Sequence, residues 1–496
     1  MRRLRLGWAA ALGLSVMSAL AAPLDWPADH RGRTTPLTHR QVCDLVAWAD
    51  EAAHVETEEI GRSAEDRPLF LVHLRGPGEP SWRVMFIGQQ HGDEHAGKDA
   101  LCHLIRDLAE HPERLAPGVD LWIVPQANPD GSEADRRTNA NRMDLNRDHL
   151  VLSQPETRAI HAAVQRVHPD VTVDCHEFGR DSGDYTARGW TEWPQIMMDA
   201  ANHPLFGADR LEAALWWVDS ARPALEAAGH NYMRYHVGAA PGAGEMRHST
   251  LECNDARNGL AMHGGLSFII ESGVRRGLDN RHADLGARVD AYLVLLRRFL
   301  DVTERRANDR AVIDASRTAP LPAFLPTNVM WGNHGLRVTA VPVIDLETGQ
   351  TRHIETANFL HDVIVKSTVT TPRAYAIPPD AASAEALVEI VERHGLAHER
   401  LLTPRTLLAE RTRLVEIQED EEPIHSRYGG RQIVERDFAA RRDFPAGTVL
   451  VPLDQPGAVR AALVLEPNQL YGLWGGETVR IGVDGDGTMP VWRVME

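Results

Sequence analysis

Residues 84–100 read V-M-F-I-G-Q-Q-H-G-D-E-H-A-G-K-D-A. An apolar run, Val84 to Ile87, gives way almost at once to His91, Asp93, Glu94 and His95. Two imidazoles and two carboxylates packed this tightly behind a buried strand are costly to hold together unless a cation joins them. The cluster therefore poses the question that the rest of the chain has to answer: what holds it, and through which side chains.

Two metal readings are open. As H-x-x-E-H the stretch matches the inverted zinc-protease motif, in which His91 and His95 share one helix face and Glu94 is the base. As H-x-x-E it offers His91 and Glu94 as ligands and needs a third from elsewhere. The cluster follows a strand directly, and Gly92 and Gly97 favour a strand-end loop entering a helix. Taken alone, it also reads as a polar loop without metal.

Three further stretches bear on the choice. R-R-T-N-A-N-R-M-D-L-N-R-D, residues 136–148, gathers guanidiniums and amides in a loop after a strand. Arginine forks bind carboxylates bidentately, and a guanidinium that cannot lose its proton can stabilise an oxyanion. The plain alternative is a solvated loop with local ion pairs. V-T-V-D-C-H-E-F-G, residues 171–179, carries His176 out of a strand, where a third ligand would sit. L-S-F-I-I-E-S-G, residues 266–273, sets Glu271 directly after an apolar strand. Buried beside a metal, such a glutamate can act as a general base.

Helical and strand-like periods alternate around these motifs. Apolar spacing predicts helices over 38–54, 98–110, 156–167 and 284–301. Strands are expected over 55–74 as a strand-turn-strand, and over 81–87, 119–124, 171–173 and 266–270. This is an α/β pattern with a mixed, mostly parallel central sheet flanked by helices. Residues 303–327 turn polar and proline-containing, and beyond them short β-like runs surround one helical stretch at 381–396. The expected organisation is a leader over 1–22, a catalytic domain over 23–305, and a smaller β-rich α+β C-terminal region over 306–496.

The leader reading rests on M-R-R-L-R followed by an apolar run that ends in Ala19-Leu20-Ala21. That is the layout of a secretory signal peptide, and it implies export to the periplasm or the medium. An N-terminal membrane anchor is the alternative, although the run is short for a span. With the leader removed, no stable membrane span is expected. The net charge of −17 argues against nucleic acid as a partner. The four cysteines form no C-x-x-C pair, which excludes a cysteine zinc ribbon and leaves disulfides or buried thiols open.

The order H-x-x-E, then R-x-N with D-L-N-R, then D-x-H, then I-E resembles the zinc carboxypeptidase family, the metallopeptidases related to carboxypeptidase A. The likeness runs over about residues 36–300 and includes I-G-R-S-A-E-D-R-P-L, residues 60–69. It implies one zinc ion held by His91, Glu94 and His176, with Glu271 as the base that activates water. It implies Asn146 and Arg147 as the grip on the substrate's terminal carboxylate. Arg137 matches the arginine that polarises the scissile carbonyl, with Arg136 as the alternative. Asp144 matches the carboxylate behind the first histidine ligand, and His95 and Asp93 carry no ligand role.

One departure stands out. Many members place a tyrosine shortly before the catalytic glutamate, and residues 254–271 contain none; Arg257 and His263 are the polar side chains there. Tyr232 and Tyr235 lie upstream, without an assigned position. The expected function is removal of C-terminal residues from peptides by a zinc-dependent carboxypeptidase. Its substrate would be a peptide or small amide with a free carboxylate. Two alternatives stand beside it: a same-fold amidohydrolase acting on N-acyl amino acids or cell-wall peptides, and a non-catalytic peptide- or carboxylate-binding protein.

Overall fold

A computed structural model describes residues 29–275, 281–305, 307–418, 431–474 and 485–496. The signal-peptide expectation, residues 1–22, lies outside them.

Eight strands form the central sheet: β1 (Val55–Arg62), β2 (Pro68–Arg75), β3 (Trp82–Gly88), β4 (Val119–Val124), β5 (Val171–Gly179), β6 (Ile196–Ala200), β7 (Tyr232–Arg234) and β8 (Leu266–Val274). Their spatial order is β1-β2-β4-β3-β5-β8-β6-β7. The centre is parallel, with β3 between β4 and β5 and with β8 beside β5. Antiparallel pairings of β2 with β4 and of β6 with β8 close the parallel block on either side. The sheet is thus mixed around a parallel core, as the alternating pattern predicts.

The apolar run that opens the cluster explains the layering. Side chains alternate across a strand, so Val84 and Phe86 face one side and Met85 and Ile87 the other. Val84 and Phe86 belong to a core shared with helices His39–Ala49, His95–Glu110, Ala208–Ala227 and Leu285–Arg305. Met85 and Ile87 belong to a second core with helices Pro155–Val167 and Ala256–Ala261. Both faces are covered, which is why β3 carries no polar side chain between Val84 and Ile87.

Two strands run further than the apolar pattern suggests. β5 continues through His176 to Gly179, and β8 through Glu271 to Val274. Their parallel register is unbroken, with Glu271 directly opposite His176. The backbone ladder does not depend on side-chain polarity, so the pairing carries both polar residues out of the apolar zone. Helix Ala208–Ala227, with Pro223 inside it, is an element that the sequence pattern does not reveal.

The chain past residue 306 remains attached to this body. Helix Ala307–Thr318 follows the expected boundary, yet Trp217 Nε1 donates to Asp309 (2.8 Å) across its contact with helix Ala208–Ala227. Arg310 and Arg317 each donate to the buried carboxylate of Asp170, both at 2.9 Å. Further on, strand Thr339–Asp345 pairs with Trp190–Glu192, and Phe359–Leu360 with Met246–His248. A six-stranded sheet with helices Ala384–Arg393 and Ala458–Leu465 completes a β-rich α+β C-terminal region. Its apolar core is continuous with Leu150, Phe206, Cys253 and Met262 of the first body.

All four cysteines are free thiols. Among the described residues, no helix is long and apolar enough to cross a membrane.

Helix His95–Glu110 lies close on β5. A Cβ on Gly97 would stand 2.6 Å from the Cβ of Cys175, next to His176. Gly97→Ala should therefore lower the unfolding free energy by about 1–3 kcal/mol, the usual cost of overpacking. Urea denaturation followed by circular dichroism measures it; an unchanged midpoint would show that helix and strand can part without cost.

Candidate metal centre

The parallel strands β3, β5 and β8 end side by side, and the crevice beyond such ends is where α/β sheets commonly bind ligands. The loop after β3 carries the opening cluster. Gly92 packs on the backbone of Gly131, and a Cβ there would meet the Gly131 carbonyl carbon at 2.0 Å. Glu94 is the N-cap of helix His95–Glu110 and His95 is its first residue. His91 is thus off the helix, and the inverted H-x-x-E-H arrangement, which needs both histidines on one helix face, does not form.

His91, Glu94 and His176 come together. His91 Nδ1 lies 2.8 Å from Glu94 Oε1, His176 Nδ1 lies 2.8 Å from Glu94 Oε2, and the two Nδ1 atoms are 3.0 Å apart. All three side chains are buried. Each imidazole is backed by a carboxylate on its other nitrogen. Asp144 Oδ1 faces His91 Nε2 at 3.1 Å, and Asp174 Oδ2 faces His176 Nε2 at 2.6 Å. A carboxylate accepting at Nε2 favours the tautomer with the proton there, the one in which Nδ1 can bind a cation. Two imidazole Nδ1 atoms and a carboxylate thus meet at one point, a donor set that fits a divalent cation such as zinc. Burial opposes charge here, yet His91 and His176 hold Glu94 below the usual carboxylate range. Against its own desolvation, the carboxylates of Asp174 and Glu94 hold His176 well above the usual imidazole value.

Around this trio the walls form a cleft of about 240 Å³, lined among others by Arg137, Asn146, Arg147, Tyr235 and Glu271. Burial pushes the Glu271 carboxyl up to about 7; His176 draws it down and Glu94 raises it. Arg137 donates from Nε to Asp144 Oδ2 (2.9 Å), and its Nη1 is 3.7 Å from Glu94 Oε1. Arg136 instead turns to the carbonyl of Thr138, so of the two arginines only Arg137 lines the cleft. Asn146 sits on a short 3-10 turn, Leu145–Arg147, capped by Asp144. Its Oδ1 accepts from the Ala256 amide (2.7 Å), which aims Nδ2 toward His176 at 3.1 Å. Arg147 donates to the Asn146 carbonyl, with its Nε 3.6 Å from Glu252 Oε2.

Two side chains of this site lie outside the sequence assignment. Tyr235, just past β7, lines the same cleft; burial and the Glu271 carboxylate push its phenol well above the ordinary value. Asp174 is contained in the D-x-H spacing, although only the arrangement behind His176 reveals what it touches. Of the polar residues available in place of a tyrosine, Arg257 lines the cleft but is tied to Ala200 O (2.8 Å), Thr250 O and Asp255 Oδ2 (3.0 Å). His263 is not on the cleft wall; it is buried against His161 and Arg460.

A second trio, His95, Asp135 and His282, also has ligand atoms within 4.8 Å of one another. Its surroundings are cationic. Arg281 pairs with Asp135, and Lys98 Nζ is 3.5 Å from His95 Nδ1. Burial first, then Lys98, His282 and the nearby arginines, lower His95 to about 2. The field that draws a cation to the first trio is therefore missing at the second.

Comparison with known proteins gives consistent findings. Residues 45–181 match the family model described as zinc carboxypeptidase, a span that contains His91, Glu94, Arg137, Asp144, Asn146, Arg147 and His176. Carboxypeptidase 2 of Trichophyton tonsurans is 24% identical over 421 residues, which is 80% of this chain and 74% of that protein. Carboxypeptidase SOL1 of Arabidopsis thaliana is 35% identical over 122 residues, 20% of this chain and 24% of that protein. Among solved structures, the metallo-carboxypeptidase from Pseudomonas aeruginosa in complex with (2-guanidinoethylmercapto)succinic acid is 23% identical. It covers 54% of this chain and 70% of its own, with a TM-score of 0.43. Residues 45–181 thus match the zinc carboxypeptidase family, and the chain is similar over most of its length to a fungal carboxypeptidase.

Proposed function

We propose that this protein is a zinc-dependent metallocarboxypeptidase that removes C-terminal residues from peptides. The reading rests above all on one observation: the Nδ1 atoms of His91 and His176 meet the Glu94 carboxylate beside a cleft that Glu271 and Arg137 also line. In this reading His91, Glu94 and His176 hold one zinc ion. Zinc bound there supplies Lewis-acid activation of water and of the scissile carbonyl.

The protein's own groups do the rest. Glu271, largely shielded from solvent, is poised near neutrality, so it can accept a proton from water and later pass it to the leaving amine. Arg137 presents a permanent positive charge where the carbonyl oxygen becomes an oxyanion. Asp144 both orients His91 and holds the Arg137 fork, so the two are set by one carboxylate. Asn146 and Arg147 bind the free carboxylate of the chain end and fix the register one residue from it. Tyr235 supplies an aromatic wall that residues 254–271 lack, which favours a peptide over an N-acyl amino acid as the substrate. Asp255 and Arg257, which also line the cleft, neutralise one another, so that pair offers the terminal side chain no uncompensated charge. The N-terminal residues 1–22 support export of the enzyme.

Three outcomes are expected. Glu271→Gln should bind zinc at the parent stoichiometry, measured by atomic absorption, while kcat falls by about 10²–10⁴-fold; near-parental turnover would refute the base role. Arg147→Met should raise KM for dipeptides with a free C-terminus by roughly 10–100-fold, as expected for loss of hydrogen bonds to a charged group. It should barely change the weak cleavage of their C-terminal amides. Dialysis against a chelator should abolish hydrolysis of blocked dipeptides, and one equivalent of zinc should restore it. Hydrolysis of N-acyl amino acids with blocked dipeptides left intact would point to the amidohydrolase instead.

A further inference from the structure

A line of hydrogen bonds runs behind His176, away from the cleft, toward helix Pro155–Val167. Asp174 Oδ2, which faces His176 Nε2, also accepts from Gln90 Nε2 at 2.8 Å. Gln90 Oε1 is 2.8 Å from His149 Nε2. His149 Nδ1 is 3.0 Å from His161 Nε2, and His161 Nδ1 is 3.2 Å from His263 Nε2. The line ends where Arg460 Nη1 meets His263 Nδ1 at 3.0 Å. Gln90, His149, His161 and His263 are all buried. Arg460 belongs to helix Ala458–Leu465 of the C-terminal region.

The chemistry of the two ends allows this line only one direction. A guanidinium has donors and no acceptor, so His263 Nδ1 must accept and its Nε2 must carry the proton. His161 Nδ1 then accepts and its Nε2 donates, and His149 repeats the pattern. From the other end, an ionised carboxylate only accepts. Gln90 must therefore turn its amide nitrogen to Asp174 and its oxygen to His149, which again requires a proton on His149 Nε2. The two ends, which share no residue, demand the same tautomer throughout. All three imidazoles are neutral in this arrangement, since each uses one nitrogen as an acceptor. Burial agrees with it: it lowers His149 and takes His161 and His263 well below the ordinary imidazole value. Arg460 is lowered by burial only to about 10, which leaves it charged near neutrality.

We propose that Arg460, acting through His263, His161, His149 and Gln90, positions the metal-facing nitrogen of His176, so that the C-terminal region sets the tautomer and aim of a zinc ligand. This rests on the reading of His176 as a ligand. Hydrogen bonds in series polarise one another, and here every donor points the same way, from the guanidinium to the Asp174 carboxylate. Asp174 is thereby held with Oδ2 toward His176 Nε2, and the lone pair of Nδ1 stays in the site. Without Arg460, His263 Nδ1 loses its donor, and nothing at that end excludes the opposite tautomer. The line then loses its single direction, and Asp174 its fixed orientation.

The test uses the full-length protein labelled with 15N at histidine. Long-range 1H–15N correlation spectra of the parent should show His149, His161 and His263 as Nε2–H tautomers alone. Arg460→Met should introduce Nδ1–H tautomers along the line and raise the zinc dissociation constant, measured by chelator competition, by about tenfold. That is the low end of what loss of a direct partner of a ligating histidine costs. Arg460→Lys keeps a donor and should return affinity to within about twofold of the parent. A mixture of tautomers in the parent would overturn the proposal, and that measurement stands even if Arg460→Met fails to fold. Parental zinc affinity in folded Arg460→Met would overturn it as well, while leaving the metal reading intact. A parent that binds no zinc would overturn both.

Discussion

Two imidazole nitrogens and one carboxylate aim at a single point, and the groups behind them keep them aimed. Such a convergence of lone pairs is repulsive until a cation enters. It persists only because the opposite side of each ring is engaged by Asp144 or Asp174, and because a backbone amide, that of Glu177, reaches Glu94 Oε2 at 2.9 Å. The fold supplies the coincidence in space. Neighbouring parallel strands put His176 and Glu271 in register, and the loop after β3 swings His91 and Glu94 over them. Polar groups that would be costly singly become stable as a set once their charge is balanced.

The parts of this arrangement that were legible in the sequence are those with local signals. The Val84–Ile87 run announces a strand buried on both faces, and Gly92 and Gly97 after it announce the loop and the tight helix entry. H-x-x-E and D-x-H carry their spacing on the page. The less legible parts arise from contacts between distant segments. β5 and β8 outlast their apolar stretches because the ladder is made by backbone groups, which a hydrophobic pattern does not report. Tyr235 reaches the cleft through the parallel pairing of β7 with β6 at the sheet edge, and no local pattern foretells such a pairing. His149, His161 and His263 are single histidines in three separate stretches, two of them turns and one a helix. Nothing near any of them in the chain hints at the other two.

The C-terminal region is bound closely to the rest of the protein. The polar, proline-bearing stretch over residues 303–327 suggests a domain boundary. Here helix Ala307–Thr318 closes over the base of the sheet, where Arg310 and Arg317 join Arg83 around Asp170. Strands past it complete small sheets begun by the first body. A carboxylate with three guanidinium neighbours is tolerable in a buried place because its charge is fully met, and it ties three distant stretches together. The C-terminal region thus shares ion pairs, strand pairings and an apolar core with the body that carries the site.

Strand alternation also decides which donors the candidate centre offers. Cys175 precedes His176, so its sulfur points to the opposite face, sealed against Gly97. Burial holds that thiol well above its ordinary pKa, so it stays protonated. A thiolate would outcompete imidazole for soft ions such as copper(I). By turning sulfur inward and nitrogen outward one residue apart, the strand leaves only nitrogen and oxygen donors at the candidate centre.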